Sequence, residues 1–188
     1  MKRTGITILL AVITLAISAY TLPSGKLVSS KTHIRFFSTT AVEDIEANNY
    51  ASVSTIDPAT GVVVFSVPMQ SFEFKKALMQ QHFNNDKFLD TKVHPSAKLN
   101  GRIINIDQIN FSKDGTYTAN LEGDMTIKGK TNPVKEKGTV TVKGNLISIE
   151  SKFNITLADY GVTFVKGKPA SNIAKVVEVT VIAEYKSE

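Results

Sequence analysis

Side chains that commonly carry out catalysis or bind metals are scarce in this sequence. It has 188 residues, no cysteine and only three histidines, His33, His82 and His94. No two of these histidines have the i, i+4 spacing, with an acidic residue nearby, that zinc ligands on a helix show. A single histidine among apolar residues is more often a hydrogen-bonded structural residue. The sequence therefore predicts no metal site, no thiol chemistry and no cofactor.

One further string resembles a catalytic motif, the phosphate-binding loop, but fails on spacing and context, and a second catalytic motif is not present. In "GDMTIKGKT", five residues separate Gly123 from Gly129, whereas a phosphate-binding loop has four and is followed by a helix. No Gly-x-Ser-x-Gly string is present to form a nucleophile elbow. The acidic residues Glu43, Asp44 and Glu46 are interpreted as a solvated loop. The sequence thus predicts no catalytic residues.

The elements that must position any site are mainly strands. From Lys26 onward, apolar and polar residues alternate between short turn-forming segments. Residues 57–61 form one predicted hairpin loop, and 113–115 form a predicted tight connection. The pattern indicates one all-β domain of about eight antiparallel strands, closed as a barrel or folded as a sandwich. Short connections favour neighbours in sequence as neighbours in space, and therefore an up-and-down barrel.

A barrel of eight strands has an interior only wide enough for packed side chains or for one small or slender ligand. The alternation predicts these inward-facing residues: Val63, Phe65, Val67, Met69, Tyr117, Ala119, Leu121, Val177, Val179 and Val181. These side chains could interdigitate as a solid core or surround a hollow. Alternation leaves both interpretations open.

Residues 72–95 interrupt the strand pattern. Phe72 and Phe74 share one face of a strand, after which Leu78, Met79, His82 and Phe83 form one stripe of a short helix. A helix of two to three turns is not stable alone in water, so this stripe must dock on an apolar surface. The mouth of the barrel is the nearest such surface. The helix is therefore predicted to close one end, and a second interpretation has it border a ligand entrance.

The N-terminus has the layout of a secretory signal peptide. Lys2 and Arg3 precede an apolar run, and small residues follow near position 19. We therefore expect residues 1–19 to be a signal peptide, residues 20–188 to be the single domain, and no stable membrane anchor to remain after cleavage. The protein is then expected to be periplasmic or secreted. Its lysines are scattered rather than clustered, which argues against nucleic acid as a partner.

A resemblance to a known family appears in "FKKALMQQHFNNDKFLDTKVHPSAKLNGRI". This stretch resembles the hallmark segment of the YceI-like family, in its Bacteroidetes-type version. The matching residues are Leu78, Met79, His82, Phe83, Asn84, Phe88, Leu89, Asp90, Lys92, Pro95 and Gly101. The downstream string "LEGDMTIKGKTNPV" and the strands that close the chain are also similar to family segments. The resemblance implies a lipocalin-like antiparallel barrel with one short α-helix near one end and an elongated apolar cavity.

The family resemblance also implies export and, for some members, binding of a polyisoprenoid chain such as an isoprenoid quinone. We therefore expect an exported binding protein, not an enzyme, that sequesters or carries a polyisoprenoid, an isoprenoid quinone or another lipid. The residues expected to line the site are Phe65, Val67, Phe72, Phe74, Leu78, Met79, His82 and Phe83. The alternatives are a filled barrel that serves as a structural or protein-binding element, and an enzyme acting on a hydrophobic substrate. Homodimer formation stays open.

Overall fold

The computed structural model describes residues 25–40, 43–162 and 174–187. The predicted signal peptide, residues 1–19, lies outside these described residues. The strands are β1 (Leu27–Thr39), β2 (Asp44–Asn49), β3 (Val53–Ile56), β4 (Val62–Pro68), β5 (Glu73–Phe74), β6 (Ser96–Ile103), β7 (Gly115–Ile127), β8 (Lys130–Lys143), β9 (Leu146–Thr156) and β10 (Val176–Lys186). One helix, α1 (Ala77–Asn84), and 3-10 turns at Met69–Ser71, Ile106–Gln108 and Leu157–Tyr160 complete the described elements.

Eight of these strands form a closed antiparallel barrel. The order around the ring is β1, β3, β4, β6, β7, β8, β9 and β10, and pairing of β10 with β1 closes it. Strands β2 and β5 continue β3 and β4 towards one end, because β1 pairs with β3 through residues 27–28 and with β2 through residues 34–39. Neighbours in sequence are thus neighbours in space. The prediction of an up-and-down, lipocalin-like barrel of about eight strands is confirmed.

The interruption between β2 and β3 is held by one buried amide. Asn49 has no solvent exposure. Its Nδ2 donates to the carbonyl oxygen of Pro68 at 2.8 Å, and its Oδ1 accepts from the backbone N–H of Ala51 at 3.0 Å and from Ser52 Oγ at 2.8 Å. The side chain therefore satisfies backbone groups that the sheet ladder leaves unpaired at this point.

The acidic cluster at residues 43–46 does not form a loop, as the sequence predicted, because β2 begins at Asp44. Glu46 accepts a hydrogen bond from the Arg35 guanidinium of β1 at 3.0 Å. This bond, with a second from Asn48, lowers the pKa of the Glu46 carboxyl. Glu43 pairs with Lys76. Acidic side chains that the sequence-based interpretation left solvated therefore form ion pairs with Arg35 and Lys76.

The end of the barrel farthest from α1 is solidly packed. Its fully buried residues include Ile56, Val140, Ile147, Ala183 and Tyr185. The segment between β6 and β7, residues 104–114, covers this end and buries Ile109 and Phe111. The tight connection predicted at residues 113–115 is therefore wrong. The connection between β6 and β7 is eleven residues long, 104–114, because it must bring two large apolar side chains into the core.

Tyr185 offers a test of this packed end. Its hydroxyl lies 2.7 Å from Ser54 Oγ, and burial raises its pKa to about 12. We expect Tyr185→Phe to cost about 1–3 kcal/mol in the free energy of unfolding, because Ser54 Oγ is left without a partner. The folded state retains the phenol proton above the unfolded pKa of about 10, so wild-type stability falls as pH rises from about 10 to 12. The variant should lose less stability over that interval in urea titrations.

Candidate functional site

A cavity of about 790 Å³ occupies the end of the barrel that carries α1. Its volume lies within the range of roughly 300–1,000 Å³ that is typical of small-molecule sites. Aliphatic and aromatic side chains from α1 and from the barrel strands make up most of its wall. The barrel is therefore filled by its own side chains at one end and hollow at the other.

The residues predicted to line a ligand site all lie on the wall of this cavity. They are Phe65 and Val67 of β4, Phe72 and Phe74 at β5, and Leu78, Met79, His82 and Phe83 of α1. The prediction omitted several others that the structure places there, among them Phe36, Phe88, Glu136, Phe153 and Ile155. Strand alternation could have found Phe36, Phe153 and Ile155, whereas Phe88 lies in an irregular segment.

Strand pairing between neighbours in the described barrel stops at two places on this end. The ladder between β4 and β6 ends at the pair Pro68–Ser96, beyond which β5 pairs with β2 and not with β6. The segment 75–95, which includes α1, follows β5 at this opening. The ladder between β8 and β9 also ends, at the pair Gly138–Ser151. Among the described residues, the cavity therefore lies at the end of the barrel where strand pairing stops in two places.

A cluster of five phenylalanines joins α1 to the barrel. Phe83 is its centre, with ring centroids 5.6 Å from Phe36, 5.4 Å from Phe72, 5.0 Å from Phe74 and 6.4 Å from Phe88. Aromatic pairs at such separations add to the stabilisation that burial alone provides. The same five rings line the cavity. One set of contacts therefore both fixes the helix and forms the aromatic part of the wall.

The helix docks differently from the predicted stripe. Within α1 only Phe83 is buried, and Leu78 is 62% exposed. Leu78 and His82 nevertheless border the cavity, so this side of α1 faces an opening and not a packed surface. The helix thus lies at the rim and holds on mainly through Phe83. No helix among the described residues is long and apolar enough to cross a membrane.

Polar contacts hold the rest of the segment 75–95. Thr91 has no solvent exposure, and its Oγ1 donates to Asn84 Oδ1 at 2.9 Å. The Thr91 carbonyl oxygen accepts from Gln70 Nε2 at 3.2 Å, and the Thr91 N–H donates to the Asn84 carbonyl at 3.3 Å. Lys128, in the β7–β8 turn, donates to the carbonyl of Phe88. The segment is thereby tied to its own helix, to the turn after β4 and to the β7–β8 turn.

These contacts predict the effect of a change at Thr91. Thr91→Val keeps the shape of the side chain but leaves Asn84 Oδ1 without its donor, which should cost about 1–3 kcal/mol. Thr91→Ser retains the hydroxyl and serves as the matched control. Urea unfolding would measure the loss, and hydrogen exchange should be faster in residues 84–94 of the valine variant. Equal stability of the two variants would contradict the role assigned to the hydroxyl.

The histidines do not converge. His33 Nε2 lies 2.8 Å from Asn48 Oδ1, and its ring stacks on Tyr50 with centroids 4.6 Å apart. His94 packs against Gly129, and His82 is exposed at the cavity rim. In the described part of the chain, no three His, Cys, Asp or Glu side chains are grouped so as to hold a metal ion. The wall thus offers apolar contact area far more than coordination chemistry.

A closed antiparallel barrel with an apolar cavity beside a short helix at one end places the chain in the class of lipocalin-like barrels. Residues 25–185 match the YceI-like domain family. The chain belongs to this family, and the predicted resemblance is confirmed. No curated protein sequence matches the chain significantly.

Solved structures agree on the fold. BcnA of Burkholderia cenocepacia is 19% identical, with 81% of this chain and 95% of that chain covered and a TM-score of 0.66. A polyisoprenoid-binding domain from Saccharophagus degradans, implicated in plant cell wall breakdown, is 10% identical over 87% of this chain and 98% of that chain, with a TM-score of 0.71. The YCEI protein of Campylobacter jejuni is 13% identical over both full chains, with a TM-score of 0.56.

Proposed function

We propose that this protein binds a long apolar molecule, a polyisoprenoid or another lipid, in the cavity at the α1 end of its barrel. The observation that carries the proposal is the cavity itself, about 790 Å³ in volume and lined mainly by aliphatic and aromatic side chains. The sequence left open the alternative of a barrel filled by its own side chains. The cavity at the α1 end argues against that alternative for this part of the barrel. The similar domain from Saccharophagus degradans is named as polyisoprenoid-binding, which supports the same ligand class here.

The energetics favour a long chain. Each buried methylene contributes about 0.8 kcal/mol, whereas association costs an estimated 4–15 kcal/mol of lost freedom. A short apolar molecule therefore gains too little burial to bind well. A slender chain that fills the cavity can bind tightly with few polar contacts.

We expect affinity to rise with chain length until the cavity is full. For prenyl alcohols of ten, fifteen and twenty carbons, each added isoprene unit brings five carbons at about 0.8 kcal/mol each and should tighten binding by up to about 1,000-fold. Displacement of a fluorescent apolar probe would measure this series. Native mass spectrometry of protein purified from its own host would identify the natural occupant. Affinities that do not depend on chain length would contradict a site that works by burying a chain.

The proposal includes export. A protein that shields a lipid from water can carry it across the aqueous compartment between two membranes. The layout of residues 1–19 is that of a secretory signal. Cell fractionation followed by N-terminal sequencing should find the mature protein outside the cytoplasm and starting near residue 20. A cytoplasmic protein that keeps Met1 would contradict this part of the proposal. Light scattering on the same fractions would test homodimer formation.

A further inference from the structure

Glu136 stands where the barrel wall is otherwise apolar. Along β8, Val134, Glu136 and Gly138 are partly buried, whereas Lys135 and Lys137 between them are exposed. Side chains alternate between the two faces of a strand, so Glu136 projects towards the interior. It borders the cavity, and it is the one partly buried charged residue at an inward strand position in the described barrel, since Lys130 on the same face of β8 is exposed. The other charged residues at the cavity lie near α1 or at outward strand positions: Glu43, Lys76, Lys87, Lys98 and Lys137.

No partner in the described chain neutralises this carboxylate. Leu121 lies opposite Glu136 on β7, and on the other side the β8–β9 ladder has already ended at Gly138. The neighbouring cation Lys135 is exposed and pairs with Glu122. On the turn that follows β9, the Tyr160 phenol is close enough for the Glu136 carboxylate to raise its pKa, and a phenol is not a cation. Burial accordingly raises the pKa of the Glu136 carboxyl.

We propose that Glu136 is the head-group selector of the cavity: it accepts a hydrogen bond from a hydroxyl group of an uncharged ligand and disfavours ligands with an anionic head. This inference rests on the proposed function and names the ligand class more closely, as an apolar chain that carries an alcohol or phenol hydroxyl. A carboxylate is an acceptor only, and the hydrogen bond to it is stronger than one between neutral groups. A phosphate or carboxylate head would instead meet a like charge at low dielectric.

The cost of partly desolvating a carboxylate that has no cationic partner among the described residues gives the inference its physical basis. Burying a polar group without a hydrogen bond is unfavourable. A bound chain would shield the partly buried carboxylate further from water. A ligand hydroxyl would offset that cost with a hydrogen bond, whereas a hydrocarbon would not and an anion would increase it. An aliphatic residue at position 136 would have packed against Leu121 with no such penalty. The apo-protein therefore tolerates a group that becomes favourable only when the correct ligand is bound.

The test compares three fifteen-carbon probes that differ only in their polar group: farnesol, farnesyl monophosphate and the hydrocarbon farnesene. Each would displace a fluorescent apolar probe from wild type, Glu136→Gln, Glu136→Leu and a control variant, Glu122→Gln. The control removes a carboxylate from the outer side of the adjoining strand β7, where Glu122 pairs with Lys135. Thermal melting would verify folding, and Glu136→Gln should melt no lower than wild type because it removes a partly desolvated charge.

The decisive quantity is the ratio of variant to wild-type affinity for each probe. We expect Glu136→Gln to tighten farnesyl monophosphate by about 10-fold or more, the scale of one hydrogen bond or charge contact, and to leave farnesene within about twofold. Glu136→Leu should weaken farnesol by about 10-fold relative to farnesene. Glu122→Gln should change none of the three. If the relative affinities of the three probes are the same in all four proteins, the role of Glu136 is overturned but the proposed function is not. If wild type binds none of the three probes, the proposed function is overturned.

Discussion

Ala97→Phe is expected to weaken the binding of long apolar ligands strongly while the barrel stays folded. Ala97 lies on β6 at the cavity wall and pairs with Val67 across the sheet. A phenyl ring at this inward position would project into empty space, so the free energy of unfolding should change by no more than about 1 kcal/mol. The ring would displace roughly three methylenes of a bound chain, at about 0.8 kcal/mol each. Affinity for a twenty-carbon prenyl alcohol should therefore fall at least about 50-fold in a probe-displacement titration.

The same substitution at the solid end of the barrel is the matched control. Ala183 on β10 also faces inward, but it has no solvent exposure and does not border the cavity. Ala183→Phe forces extra atoms into a filled core, so it should cost about 1–3 kcal/mol or more of stability. If Ala97→Phe destabilises the barrel as much as Ala183→Phe does, the α1 end is not hollow in solution, and the proposed binding site is lost with it.

Phe83→Ala is expected to have the largest effect on stability. Phe83 is the only buried residue of α1 and contacts four other aromatic rings. Truncating a buried phenylalanine costs about 3–5 kcal/mol. Here the loss should also loosen the helix, because Phe83 is its only buried apolar side chain and the remaining buried contact, from Thr91 to Asn84, lies at its C-terminal end. Urea unfolding would report the loss of stability, and hydrogen exchange should accelerate through residues 75–94.

Phe37→Ala provides the comparison for Phe83→Ala. Phe37 lies on β1 next to Phe36, but its side chain faces outward, where the Arg35 guanidinium sits 5.0 Å from the ring centroid. Its removal should cost no more than about 1 kcal/mol, the scale of an exposed cation–π contact. Equal effects of the two substitutions, or unchanged exchange in residues 75–94 of Phe83→Ala, would contradict the anchoring role of Phe83.

Much of the architecture could be predicted because it depends on local periodicity. The alternation through β4 identified Phe65 and Val67 as inward-facing, and the change of period after Phe74 identified a helix near one end. Two local predictions failed where tertiary contacts prevailed. Residues 104–114 bury Ile109 and Phe111 and so are not a short turn, and Asp44 and Glu46 enter β2 because β1 pairs with them.

The sequence by itself determined which side of each strand faces inward, and it identified the segment that carries the helix. It could not determine which part of the interior is filled, because the alternation of side chains along a strand carries no information about the distance to the opposite wall of the barrel. That distance is set by where the ladders end, at Pro68–Ser96 and at Gly138–Ser151. Only the tertiary structure could therefore show that Ala183 meets a filled core, whereas Ala97 and Glu136 meet open space.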